Sequence, residues 1–178
     1  QRVSRVALQL FSKAIANSEN ENHVVQRLKR KLSWAAAMHE VGFAISHSDY
    51  HKHGAYILEN ADLLGFSMQE LQRLSLLVLG HRGKLRKLEA DFEEAEFIKM
   101  LIALRMAVIL CHARKNPDQS ELEFTCNEKS KQFTLEADAD WIESHPQSVH
   151  LLRQEVIAWQ KTPWIFAFTQ AARVKQPA

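Results

Sequence analysis

The chain has 178 residues, of which 46% are hydrophobic and 25% are charged, a balance typical of soluble globular proteins. This length favours one domain, or one domain with a small second lobe. The formal net charge of +2 is too small to indicate a nucleic-acid-binding protein, and no apolar run approaches the ~20 residues of a membrane span. We therefore expect no nucleic-acid partner and no membrane span.

The N-terminal residues and the cysteines indicate where the protein works. The sequence begins with a helical pattern, without a signal peptide and without an initiator Met, which suggests a piece of a longer protein. Cys111 and Cys126 have no CxxC spacing and are typical of reduced core thiols. We therefore expect a cytoplasmic protein.

Helical periodicity dominates the first part of the chain. Apolar residues recur at helical spacing in five segments, at about residues 2–16, 28–39, 55–61, 67–80 and 97–109. Residues 17–22 form a polar linker between the first two, and the fifth helix is expected to end before Asn116 and Pro117. Ser67 and Glu70 have the spacing of a capping box, which predicts the start of the fourth helix.

The pattern changes after residue 117. Residues 122–126 and 133–136 alternate apolar and polar side chains around a polar turn, which predicts a β-hairpin. Helical patterning returns at 141–142 and over 149–159, with Pro146 suited to a first helical turn, and residues 164–168 form a short apolar strand. The sequence therefore predicts a mainly α fold, divided into a helical domain at 1–115, a small α+β lobe at 118–170 and a tail at 171–178.

Glycine and histidine concentrate in one window. All five glycines lie between residues 42 and 83. Five of the nine histidines lie in nearly the same window, namely His39, His47, His51, His53 and His81. Glycine permits close backbone approach, and histidine can move protons, bind metals or pair with anions. We interpret this window as the functional surface.

Specific motifs in this window resemble a known family. Residues 34–58 read WAAAMHEVGFAISHSDYHKHGAYIL, and with residues 60–66 and 79–85 they resemble the C-terminal region of the Ppx/GppA phosphatases. Residues 36–42, inside the first of these motifs, resemble the His-Asp helix end of the HD phosphohydrolases. Residues 104–110 resemble the last HD-like helix of the family. The resemblance covers about residues 2–115, and beyond that only the order of elements agrees.

The resemblance implies an accessory region without an active site of its own. In the family, two N-terminal actin-like domains bind Mg²⁺ and hydrolyse terminal phosphoanhydrides. The C-terminal region is an HD-like helical domain followed by a small α+β lobe, which extends the substrate channel and supports homodimerisation. The expected parent is an exopolyphosphatase that acts on polyphosphate, with guanosine pentaphosphate (pppGpp) as the alternative substrate. The expected partners are the N-terminal actin-like catalytic domains of the same polypeptide and a second copy.

The HD metal site can be compared residue by residue. His39 matches the family's motif histidine, but Glu40 replaces the aspartate, and its extra methylene displaces the carboxylate. Val108 stands where a later aspartate is expected, and the expected first-helix histidine falls near Arg2. A divalent metal that activates water needs several convergent ligands. We therefore expect no metal, cofactor or catalytic residue in this chain, with an independent HD-type metallophosphohydrolase as the alternative.

Two basic clusters could line a path for a polyanion. One lies at residues 27–31, and the other follows the glycine at position 80. We predict that residues 51–53 and 81–87 converge on one face when the intervening helices pack antiparallel. The candidate substrate-binding residues are His51, Lys52, His53, Arg82, Lys84, Arg86 and Lys87. The alternative is a structural dimerisation module whose charges are merely solvated. Whichever interpretation holds, the apolar residues 164–168 are expected to contribute to a homodimer, or else to form the central strand of the small lobe.

Overall fold

The computed structural model describes residues 1–16, 22–112 and 122–171, without the side chains of residues 89–91. Within these ranges the protein is mainly α-helical with one small sheet, which confirms the predicted fold class. Three predictions lie largely or wholly outside the described residues: the polar linker at 17–22, the helix end before Asn116 and Pro117, and the tail at 171–178. The division at 115–118 also stays a prediction, because residues 113–121 lie outside the described part of the chain.

The described elements follow the predicted order. The helices are α1 Arg2–Ala14, α2 Asn22–Met38, α3 Tyr50–Glu59, α4 Met68–Gly80, α5 Ala95–Cys111, α6 Ala139–Ser144 and α7 Pro146–Trp159. Short 3₁₀ segments cover Val41–Ala44 and Leu85–Asp91. The strands are β1 Leu122–Asn127, β2 Gln132–Ala137 and β3 Ile165–Gln170. None of the helices in the described ranges combines the length and apolar character needed to cross a bilayer.

The central helix is α5. It is apolar on all sides, and a helix of that kind is stable only when other elements cover it. The apolar face of α1 packs along it, and α2, α4 and α7 also contact it. Leu101 and Ile102 on α5, with Phe11 on α1, are fully buried. The core of the molecule is therefore built around α5.

The sheet belongs to the C-terminal part of the chain. β1 and β2 form the predicted antiparallel hairpin, and β3 pairs with β2 in parallel. A parallel neighbour needs a crossover, which α6 and α7 provide. The strand order is β1-β2-β3, so the interpretation of residues 164–168 as a central strand is wrong. That position belongs to β2, where Phe133 stacks on Trp164 with 5.0 Å between ring centroids.

Candidate functional site

The antiparallel pair α3 and α4 brings the start of one helix to the end of the other. A Cβ atom at Gly42 would overlap the carbonyl oxygen of Tyr50 and lie 2.5 Å from the backbone nitrogen of Gly54, so only glycine permits this contact. Ser75 on α4 donates a hydrogen bond to the carbonyl oxygen of Ala55 on α3, at 3.0 Å. These contacts fix Tyr50 beside the C-terminal end of α4.

A buried hydrogen-bond network lies below that junction. Nδ1 of His81 is 2.6 Å from the carbonyl oxygen of Val78, and Nε2 is 3.2 Å from the hydroxyl of Tyr50. Because a carbonyl only accepts, Nδ1 donates its proton and Nε2 accepts from the tyrosine hydroxyl. Burial, together with the charges of His39 and Arg105, lowers the pKa of His81 to about 3, so its ring is neutral near pH 7.

The residual HD-motif positions, His39 and Glu40, directly follow α2. Nδ1 of His39 lies 2.7 Å from the carbonyl oxygen of Ala36, and its Nε2 lies 3.8 Å from the exposed carboxylate of Glu40. Val108 is on α5 and contributes no ligand atom. In residues 1–16, 22–112 and 122–171, no group of three or more His, Cys, Asp or Glu side chains could hold a metal ion. His39 serves here as a hydrogen-bonded residue at a helix end, with its ring 5.3 Å from that of His81.

Residues 82–87 pass over the start of α3. Gly83 has a φ of 75°, in the left-handed region, and a Cβ atom there would lie 3.4 Å from Nε2 of His51 and 3.6 Å from Nζ of Lys87. The guanidinium of Arg82 lies over the ring of Tyr50, 5.0 Å from its centroid. Nζ of Lys87 donates to the carbonyl oxygen of Arg82 at 3.3 Å. We call these five residues, Tyr50, His51, Arg82, Gly83 and Lys87, the Gly83 cluster.

The Gly83 cluster is short of negative charge. Burial, followed by the charges of Lys87 and Arg82, lowers the pKa of His51 to about 4. Burial, followed by the charges of Arg105 and Lys52, lowers the pKa of Lys87 to about 8. His51 is therefore neutral near pH 7 and can offer a ring N–H, whereas Arg82 and Lys87 supply the charge. A bound anion would relieve the repulsion between these groups.

The structure brings together only some of the predicted site residues. His51, Arg82 and Lys87 meet in the Gly83 cluster, and their role in substrate binding stays a prediction. Lys52 pairs with Asp49, at 2.9 Å between Nζ and Oδ2, and both side chains are exposed. His53 is half-buried on α3. The remaining two, Lys84 and Arg86, line a separate groove.

This separate groove runs between residues 83–86 and α7. Its volume is about 410 Å³. Its walls carry cationic, apolar and amide side chains, among them Lys84, Leu85, Arg86, Gln154, Ile157 and Lys161. We call it the α7 groove. The basic run in the sequence thus contributes to two surfaces.

A residue that sequence reasoning missed holds these surfaces together. Arg105 on α5 is buried and donates from Nε to Oε2 of Glu155 at 2.7 Å, with a second bond to the other carboxylate oxygen. It also donates to the carbonyl oxygens of Gly80, at 2.5 Å, and Gly83, at 3.2 Å. An arginine in the middle of a strongly apolar helical pattern was the available signal, because a buried charge needs a partner. Its partner on α7 could not be read from the sequence.

The two cysteines lack the environment of reactive thiols. Cys111 is buried and Cys126 is half-buried, and both are free. Burial raises the pKa of the Cys111 thiol, and it raises that of Cys126 to about 11. A nucleophilic cysteine needs the opposite shift.

Comparison with known proteins adds the family context. The sequence model described as Ppx/GppA phosphatase, domain III, matches residues 1–156. A protein of Pseudoalteromonas translucida (strain TAC 125), named guanosine-5'-triphosphate,3'-diphosphate pyrophosphatase, is 34% identical over 171 residues, which are 92% of this chain and 33% of the relative. Relatives of the same name in Aeromonas hydrophila and Pseudoalteromonas atlantica are 32% and 29% identical, over 75% and 92% of this chain. The chain spans between 27% and 33% of the length of these three relatives.

Proposed function

Because the chain belongs to the Ppx/GppA phosphatase family, as its C-terminal region, we propose that it is the accessory region of a guanosine 5′-triphosphate 3′-diphosphate pyrophosphatase. The observation that carries this proposal is the shared name of relatives that align with most of the chain. That name favours the second of the two parents considered from the sequence over an exopolyphosphatase. The N-terminal actin-like domains of the same polypeptide, with Mg²⁺, would carry out the hydrolysis.

The Gly83 cluster is the proposed contact of this region with the substrate. A guanosine with five phosphate groups is strongly anionic, and charge-assisted hydrogen bonds to phosphate are the strong ones. Arg82 and Lys87 are held next to one another by the Tyr50 ring and the Arg82 carbonyl oxygen. Two positioned cations and the N–H of His51 would hold phosphates while the chemistry proceeds in the other domains.

Homodimerisation remains part of the proposal. β3 is an edge strand whose pairing within the described residues is with β2, and Ile165 on it is exposed. Sheet edges with apolar side chains invite pairing with another chain. Light scattering at high micromolar concentration tests this, and a monomer throughout would contradict it.

The substrate assignment can be tested on the full-length protein. We expect phosphate release with Mg²⁺ to be faster from guanosine 5′-triphosphate 3′-diphosphate than from inorganic polyphosphate of any length. The double variant Arg82→Ala/Lys87→Ala should raise KM by about 10-fold or more with kcat nearly unchanged, because it removes binding charges and no catalytic group. Arg153→Ala removes an exposed charge on α7 and serves as the matched control.

Two results would contradict this assignment. A preference for polyphosphate would favour an exopolyphosphatase as the parent. Phosphate release by the 178-residue chain alone, kept after repurification and lost in His39→Ala, would favour an independent HD-type hydrolase.

A further inference from the structure

The α7 groove concentrates positive charge. Lys84, Arg86 and Lys161 are exposed and have no ion-pair partner among the residues that the structure describes. The carboxylate in the lining, that of Glu155, is occupied by the buried guanidinium of Arg105. The groove therefore holds four cationic side chains and one carboxylate, a formal excess of three positive charges.

Another basic groove in the molecule is built differently. It lies between α2 and α4, has a volume of about 590 Å³, and includes Arg27, Lys31 and Arg73. There Arg73 is paired with Glu94, and the carboxylate of Glu70 stands in the lining beside the other two cations. Acidic side chains therefore already neutralise part of the positive charge of this second groove. Of the two grooves, the α7 groove is the better suited to an external anion.

Apolar side chains line the same groove as these cations. Leu85 is buried, and Ile157 on α7 is 59% exposed, with Ala158 next to it in the sequence; together they form the apolar wall of the groove. Small-molecule sites combine an apolar lining with a few placed polar groups, in volumes of roughly 300–1,000 Å³. A volume of about 410 Å³ falls inside that range. An inorganic phosphate chain would leave this wall unused, whereas a nucleobase or ribose would cover it.

The two walls of the groove are held in place before any ligand binds. Arg105 donates to the carbonyl oxygen of Gly83 on one wall and to the carboxylate of Glu155 on the other. The indole of Trp159 also donates to that carboxylate, at 3.2 Å. Such preorganisation lowers the entropy that binding has to overcome.

We propose that the α7 groove is a second ligand site that takes a nucleoside polyphosphate, with its phosphates on Lys84, Arg86 and Lys161 and its base or ribose against Ile157. This site is separate from the Gly83 cluster and does not depend on which anhydride the parent enzyme cleaves. A ligand in the α7 groove would be coupled to the Gly83 cluster through Arg105, which donates hydrogen bonds to the carbonyl oxygen of Gly83 and to Glu155.

The first experiment is calorimetric titration of the 178-residue chain with GTP. We expect Arg86→Ala/Lys161→Ala to weaken GTP binding by about 10-fold or more, because two charge-assisted contacts are lost. Arg153→Ala, on α7 but outside the groove lining, should change GTP binding by less than about twofold. All of these positions are exposed, so thermal unfolding should be nearly unchanged.

The second experiment separates the nucleoside from its phosphates. Ile157→Ser should weaken GTP binding several-fold and leave tripolyphosphate binding unchanged, while guanosine alone should bind weakly because it offers no phosphate. Equal affinities for GTP and tripolyphosphate, both insensitive to Ile157→Ser, would overturn the nucleoside assignment. GTP binding that is absent, or that is lost in Arg82→Ala/Lys87→Ala and kept in Arg86→Ala/Lys161→Ala, would overturn the site. Neither result bears on the turnover measurements with the full-length protein, so the two proposals fail separately.

Discussion

On the α3 side of residues 82–87 the cations are crowded, whereas on the α7 side they stand exposed beside an apolar wall. Lys87 is half-buried next to His51, and its charge, after burial, lowers the pKa of His51. The pKa of Lys87 is itself lowered by burial and then by the charges of Arg105 and Lys52. Lys84 and Arg86 are exposed and line the same groove as Ile157. The α3 side suits phosphates alone, and the α7 side suits phosphates attached to an apolar group.

The backbone explains why one short segment makes two surfaces. Gly83 has a left-handed conformation, and a 3₁₀ segment begins two residues later. Leu85 and Leu88 are buried and anchor the segment to the core. The basic residues between these anchors therefore point to different neighbours. A basic run in a sequence is not evidence of one continuous anion track.

The largest expected effect comes from breaking the contact that both sides share. Arg105→Ala would leave the carboxylate of Glu155 buried without its partner and remove the donor for the carbonyl oxygens of Gly80 and Gly83. We expect a loss of about 3–5 kcal/mol in the free energy of unfolding, since breaking one half of a buried ion pair is strongly destabilising. Urea unfolding measures this change.

Two further variants sharpen that measurement. Arg105→Met/Glu155→Leu removes both charges and should recover most of the loss, because no buried charge is left unpaired. Lys99 is also buried on α5, but its partner Glu128, 2.6 Å away, is 54% exposed. Lys99→Met leaves that carboxylate in water and should cost less than about 1 kcal/mol. Equal losses in Arg105→Ala and Lys99→Met would contradict the role given to Arg105.

The next effect is a pH dependence of stability that comes from His81, which is hydrogen-bonded to Tyr50 on the α3 side. His81 has a pKa of about 3 in the folded protein and an ordinary value of 6.5 when exposed. Because the folded state binds fewer protons, stability is lost as pH falls from 6.5 towards 3. We expect His81 to account for about 2–3 kcal/mol of the loss in unfolding free energy between pH 7 and 4.5.

Urea unfolding of His81→Phe at both pH values tests that share. The variant loses hydrogen bonds to Val78 and Tyr50 and should be less stable at pH 7, but its stability should fall less on acidification. His150→Asn, which changes an exposed histidine on α7, should keep the full acid loss. Identical acid losses in wild type and His81→Phe would contradict the prediction.

The sequence predicted the parts of this fold that local chemistry determines. Ser67 Oγ accepts from the backbone nitrogen of Glu70, at 3.2 Å, and the Glu70 carboxylate accepts from the backbone nitrogen of Ser67, as the capping-box spacing indicates. Pro146 opens α7 as expected, and the alternating segments form the hairpin β1–β2. These features depend on neighbours within a few residues.

The candidate site depended on contacts between distant residues. The Gly- and His-rich window located the Gly83 cluster, because the glycines mark close backbone approach there. The sequence could not show that Lys87 lies in the Gly83 cluster while Lys84 lines the α7 groove. This difference follows from the 3₁₀ segment Leu85–Asp91, and such short segments have no distinct periodicity in the sequence. The bond between Arg105 and Glu155 spans 50 positions, so no spacing rule connects them.

The smallest expected effect tests whether Lys87 is the titrating cation of the α3 side. With a pKa of about 8, its side chain loses most of its charge between pH 7 and 9, so affinity for a long inorganic polyphosphate should fall over that interval. Bound phosphate favours the charged form and opposes this loss, so we expect a decrease of only about threefold. Lys87→Met should bind more weakly at pH 7 and show little further change at pH 9. Lys129→Met, a change of the same charge in the exposed hairpin turn, should keep the pH dependence of wild type, and isothermal titration at the two pH values compares all three. A pH dependence that persists in Lys87→Met would place the titrating group elsewhere and remove the distinction between the two sides of residues 82–87.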